Sequence, residues 1–176
     1  MNTGQMLITI GAIILLSVII LRTNTTVLST NTVMVNSKVE VLAVSLATSF
    51  MEEATSKKFD EAVVSNAVHS PSQLSDVLGP DYHEWYPFFD DIDDYNYFKD
   101  SVKIDRIEIG TNDTLEFETH ARVEYVSDSN PDVASGSKTF NKKLTVMVTS
   151  PGMYDEQTNQ QDTLTMSTIF SYWYFK

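Results

Sequence analysis

The chain has 176 residues, no cysteine and a formal net charge of −12, a length that suits one soluble domain plus an appendage. Without cysteine there is neither a disulfide framework nor a thiolate metal site, so the fold rests on its core alone. Residues 1–58 carry four basic and three acidic residues while the remainder carries eight and twenty-one, and so acidic a surface repels phosphate backbones and excludes nucleic acid as a partner.

The run Gln5 to Leu21, QMLITIGAIILLSVIIL, is uncharged, with only Gln5, Thr9 and Ser17 polar. As a helix it would be roughly 25 Å long, just under the hydrocarbon thickness of a bilayer. A buried core helix of a small domain keeps a polar face, and this run has none. A cleavable secretory signal wants a basic segment before the run and a small-residue cleavage site after it, and neither is found; membrane insertion is the expectation. Arg22, just past the run, votes by the positive-inside rule for a cytoplasmic C-terminal side, against an extracytoplasmic head.

Residues 23–37 are rich in Thr, Asn and Val, poor helix formers, which predicts a loosened segment and a division into an arm of 1–37 and a head of 38–176. Downstream, Val39, Leu42, Leu46, Phe50 and Ala54 recur at three- and four-residue steps, an amphipathic helix expected over about 38–66. Residues 71–100 read as an irregular connector punctuated by Pro71, Gly79-Pro80 and Pro87. Eight of the seventeen residues from Tyr82 to Phe98 are aromatic, a satellite cluster packed on the helix or a sheet edge, with a partner-binding patch as the alternative.

Four strand-like runs follow. Leu115, Phe117, Ala121, Val123 and Tyr125 alternate with Glu116, Glu118, His120, Arg122 and Glu124, so one face is buried and the other wet. Phe140, Leu144, Val146 and Val148 repeat the pattern, as do Leu164, Met166, Phe170, Tyr172 and Tyr174. The run Val102–Ile109 slips register between Ile104 and Ile107, which suggests a bulge, and the short loop Gly110–Asp113 favours antiparallel neighbours. The expected fold is α+β: a long N-terminal helix, apolar then amphipathic, packed on a four-stranded antiparallel sheet. Aromatics on both faces of the closing FSYWYFK call for a second cover, and a neighbouring subunit is the first candidate.

An apolar N-terminal helix leading into an amphipathic half on an antiparallel sheet resembles the type IV pilin superfamily of pilins and pseudopilins. Two registrations fit. In one, Gly4-Gln5 resembles the prepilin-peptidase junction, and Thr9 stands where the family has a glutamate. In the other, Met1 is the first mature residue and Gln5 takes the glutamate's place, followed by sixteen apolar or small residues. The resemblance implies assembly through Gln5, Met6, Leu7, Ile10, Ile14, Leu15, Val18 and Leu21, with copies of the chain as partners in a helical filament. It also implies a membrane-held precursor, pilus assembly machinery and an extracellular filament. Gln5 can hydrogen-bond but cannot form the family's ion pair with a neighbour's terminal amine.

No catalytic or nucleotide-binding motif is present, and no cofactor is expected; a structural rather than enzymatic role is the reading. His69, His83 and His120 lie in separate segments. Asp90, Asp91, Asp93 and Asp94 read as a solvated acidic turn, with structural calcium as the alternative, since the loop lacks the EF-hand glycine and terminal glutamate. Asn24-Thr25-Thr26 and Asn112-Asp113-Thr114 fit the N-glycosylation pattern. The competing functions are a pilus-like structural subunit and a membrane-anchored binding protein or minor pseudopilin.

Overall fold

The computed structural model describes residues 2–105, 114–155 and 160–175. The fold is α+β: a long N-terminal helix, α1 (Thr3–Thr55), packs against an antiparallel sheet. The chain divides into two compact units, Met1–Val39 and Glu40–Lys176.

The helix is continuous through residues 23–37, where a loosened segment was expected. The hydroxyls that favour non-helical alternatives are instead spent on the helix's own carbonyls. Thr23 Oγ1 donates to the Ile19 carbonyl at 2.9 Å, Thr25 and Thr26 to that of Arg22 at 2.8 and 2.9 Å, and Thr30 to that of Thr26 at 2.9 Å. Side-chain donors satisfied this way no longer compete for the ladder.

Within the head, the buried line of α1 runs through Ala43, Ala47, Phe50 and Ala54, while Leu42 and Leu46 are half-buried beside it. Val39, Phe50 and Ala54 of the expected stripe are buried, and only its middle shifts, from Leu42 and Leu46 to Ala43 and Ala47. α1 also stops at Thr55 instead of running on to residue 66. Phe59 and Asp60 turn inward, and Asp60, extended and capping, starts a separate short helix, α2 (Glu61–Ser65), by accepting from the Ala62 amide. A side-chain acceptor at that position satisfies an orphan amide and sets a new helix start.

The sheet has β1 (Lys99–Asp105), β2 (Thr114–Ser127), β4 (Asn141–Asp155) and β5 (Gln160–Ser171) in the order β1-β2-β4-β5, all antiparallel, with short β3 (Asn130–Ala134) paired to the end of β2. β3 escaped the sequence reading because a proline and no alternation stand in it. Its inner face follows the alternation of the sequence: Phe117, Ala121, Val123 and Tyr125 of β2 are buried, as are Leu144, Val146 and Val148 of β4. Register stacks them in rows, Ala121 beside Val146 beside Met166, and Val123 beside Leu144 beside Thr168. The next row reads Tyr125, Lys142, Phe170, a lysine at a core position.

β5 ends at Ser171, so the alternation read through Tyr174 gives way to a 3-10 turn over Tyr172–Phe175. Tyr172 is buried, with its hydroxyl on the Val68 carbonyl at 3.0 Å, while Trp173 and Tyr174 are exposed. The expected bulge at Ile104/Ile107, the loop Gly110–Asp113 and the second glycosylation sequence, at Asn112 and Asp113, fall wholly or partly outside the described residues.

Candidate functional site

Two features carry chemistry, one in each unit. The first is the surface of α1 from Gln5 to Leu21. The helix is long and apolar enough to cross a membrane, and its most apolar stretch is wholly exposed. Gly4 and Gln5 lie in the first turn, where the Gln5 amide donates to the Asn2 carbonyl at 2.9 Å. Met6, Leu7, Ile10, Ile14, Leu15, Val18 and Leu21 are all exposed, Leu7 at 71% and Ile14 at 60%. Equally exposed are Ile8, Ile13, Leu16, Ile19 and Ile20, which the sequence reading left out of the assembly set. The apolar surface therefore encircles the helix. Its two hydroxyls are satisfied internally: Thr9 donates to the carbonyls of Gln5 and Met6 at 3.1 and 2.9 Å, and Ser17 to that of Ile13 at 2.8 Å. Both hydroxyls of the run thus close on the helix's own carbonyls, as a helix surrounded by apolar groups requires.

The second feature is a buried cluster of charge in the head. Lys142 Nζ, with no solvent exposure, donates to Asp60 Oδ2 at 2.6 Å, to the Phe59 carbonyl at 2.9 Å and to Asp93 Oδ1. The rings of Phe59 and Tyr125 stand 4.6 and 5.1 Å from the nitrogen. Local structure assembles the three residues. The Lys58 amide donates to the Asp90 carbonyl at 3.0 Å and the Ile92 amide to the Lys58 carbonyl at 2.9 Å, which ties the Asp60 segment to the turn carrying Asp93. β4 register then delivers Lys142 beside Tyr125.

The two carboxyls differ. Asp60 accepts from the Ala62 amide, the Ser75 amide and hydroxyl, the Tyr125 hydroxyl and Lys142. Burial pushes its pKa up, but the Lys142 charge and these donors prevail and leave it below the usual value. Asp93 gains less: burial lifts it, Lys142 pulls back, and the carboxyl is left raised to about 7. Its Oδ2 is buried without a hydrogen-bond partner.

Asp91, Asp93 and Asp94 are buried, not solvated as the composition suggested; Asp90 is exposed. Their composition reflects local capping. Asp91 Oδ1 accepts from the amides of Asp93 and Asp94 at 2.6 and 3.2 Å, and Asp94 Oδ2 from those of Asp90 and Asp91 at 3.0 and 3.2 Å. Burial, then the neighbouring carboxylates Asp93 and Asp94, raises Asp91 to about 9; burial outweighs the amide donors and raises Asp94 to about 6. Oxygens of Glu61, Asp90 and Asp91, and of Glu84, Asp90 and Asp94, come within 4.8 Å of one another and are the groups that could hold a cation. The oxygens of Asp91 and Asp94 are partly committed to backbone amides already.

The aromatic connector divides in two. Phe89, Tyr95 and Phe98 pack with Phe50, its ring 5.0 Å from Tyr95 and 5.1 Å from Phe98, and the Tyr95 hydroxyl donates to Glu53 at 2.9 Å. Tyr82, Trp85, Phe88 and Tyr97 are exposed. His69, His83 and His120 join none of the carboxylate groups that could hold a cation among the described residues. Compared with protein-family models, characterised proteins and solved structures, the chain matches none.

Proposed function

We propose that the chain is a structural subunit of a type IV pilus-like surface filament, held in a membrane by α1 as a precursor and by sister helices once assembled. The observation that carries this reading is the Gln5–Leu21 surface, apolar around its whole circumference and exposed. In water such a cylinder is unstable alone; lipid tails or copies of itself satisfy it equally well, because association of apolar helices rests on van der Waals packing. The remainder of the chain, with twenty-one acidic and eight basic residues beyond residue 58, keeps the heads soluble on the outside and apart from nucleic acid. On this reading the chain has no catalytic task, its partners are other copies and an assembly machine, and its final place is the cell surface.

Electron microscopy of sheared surface material tests it: filaments that carry this chain are expected, and release only by detergent, with no filaments, overturns the proposal. That second outcome would favour a lone membrane-anchored binding protein or minor pseudopilin, for which the exposed Tyr82, Trp85, Phe88 and Tyr97 offer a contact surface.

A further inference from the structure

The geometry points to an intramolecular amide cross-link between the Lys142 side chain and the Asp93 carboxyl, formed by the head itself with Asp60 as the base. This modification is independent of the filament reading, since every residue it uses lies in the head. Lys142 Nζ touches both carboxyls at once, and all three side chains are sealed from solvent, at 0% exposure for Lys142 and Asp60 and 1% for Asp93 as whole residues. Nucleophile and electrophile are thus already in contact, where effective molarities on the order of 10⁵ M or more replace a bimolecular encounter. The rings of Phe59 and Tyr125 line the nitrogen and exclude the water that would otherwise solvate the charged forms and reverse the reaction.

The roles follow from the hydrogen bonds. Asp60 is anchored by donors from Ala62, Ser75 and Tyr125, which favour its charged, proton-accepting form. Asp93 has an orphaned Oδ2, and one ammonium cannot neutralise two buried carboxylates, so Asp93 is the member that holds a proton and presents a neutral carboxyl.

The step balances without a co-reactant. The Lys142 ammonium gives one proton to Asp60, and the freed amine attacks Cγ of Asp93, forming the C–N bond. The tetrahedral adduct then expels the carboxyl hydroxyl, which leaves as water with a second proton from the nitrogen. The products are a neutral amide, a protonated Asp60 and one water; nothing is oxidised or reduced. The link would join β4 to the turn at Asp93–Tyr95, 49 residues apart in the chain.

The test is tryptic digestion of the full chain, denatured after purification, with mass spectrometry. The expected product is residues 59–99 joined to residues 139–143 with a mass lower by one water than the two peptides together, cleavage after Lys142 being blocked. Fragment ions should place the bond at Asp93, and it should vanish in Asp93→Ala and in Asp60→Ala. Recovery of free Thr139–Lys142 from the wild-type chain with no joined peptide overturns the cross-link. A bond mapped to Asp60, or one that survives Asp60→Ala, overturns the assignment of base and electrophile.

Discussion

Lys142 shows at the scale of one residue how a core position can hide in an alternating pattern. Phe140, Leu144, Val146 and Val148 define an inward parity, and Lys142 sits on it between Phe140 and Leu144. Reading only the apolar members passes over the one charged residue on the buried face. The signal was present, but what makes it tolerable, two carboxylates arriving from 82 and 49 residues away, is a tertiary fact. Removing Lys142 strips the buried Asp60 of its cation and the β4–turn link of its nucleophile. Lys142→Met should therefore destabilise the head by about 3–5 kcal/mol in chemical denaturation, and a loss below about 1 kcal/mol would mean that water reaches the cluster. The acidic turn adds a pH dependence of definite sign. Asp94 and Asp91 have folded-state values near 6 and 9, above the ordinary 3.8, so between pH 4 and these values the folded head binds more protons than the unfolded chain. Stability contributed by the protonated forms is complete below the ordinary value and is lost as pH rises through about 6 to 9. Asp60, lowered, acts oppositely, its contribution present above 3.8 and lost only in acid. A melting temperature that falls from pH 5 to pH 9 is expected, with the alkaline part flattened in Asp91→Asn, which keeps a carbonyl oxygen for the Asp93 and Asp94 amides; an unchanged slope in the variant would remove Asp91 from the account.

At the scale of elements, β2, β4 and β5 were legible because strict period-two patterning survives wherever one face is buried. The helix was legible as a helix, and its buried face at Val39, Phe50 and Ala54, but not at the middle of the stripe. Leu42 and Leu46 outweigh alanine in any hydrophobic count, yet the fully buried positions there are Ala43 and Ala47. The break at Thr55 was also invisible, because no glycine or proline marks it; Asp60 starts the next helix through a cap whose other partners only the fold supplies. The shift at the middle of the stripe makes a discriminating prediction. Ala47→Leu should cost about 1–3 kcal/mol by overpacking, whereas Leu46→Ala, at a half-buried site, should cost less. Thermal unfolding of the two variants in a soluble head decides it, and a larger loss at Leu46 would restore the leucine stripe.

At the scale of the whole molecule, the proposed function gives the arm and the head different tasks, and their contributions separate by deletion and by charge. Removal of residues 1–21 leaves the buried side chains of the head intact, so the truncated chain should fold and stay in the supernatant where the full chain sediments with membranes. On the proposed function, assembly should depend on the apolar surface, which carries no ion pair: Gln5 can offer at most one hydrogen bond, worth about 1 kcal/mol. Gln5→Ala should then reduce filament yield only slightly, and assembly should respond modestly to salt apart from repulsion among the acidic heads. A carboxylate within the run is another matter. Ile14, exposed at 60% and near the middle of Gln5–Leu21, would on packing bring an unpaired charge into an apolar bundle at a cost of several kcal/mol. Filament yield normalised to membrane-inserted subunit should accordingly collapse in Ile14→Asp and persist in Gln5→Ala. The reverse pattern would shift the driving force from the encircling apolar surface to a specific polar contact at Gln5.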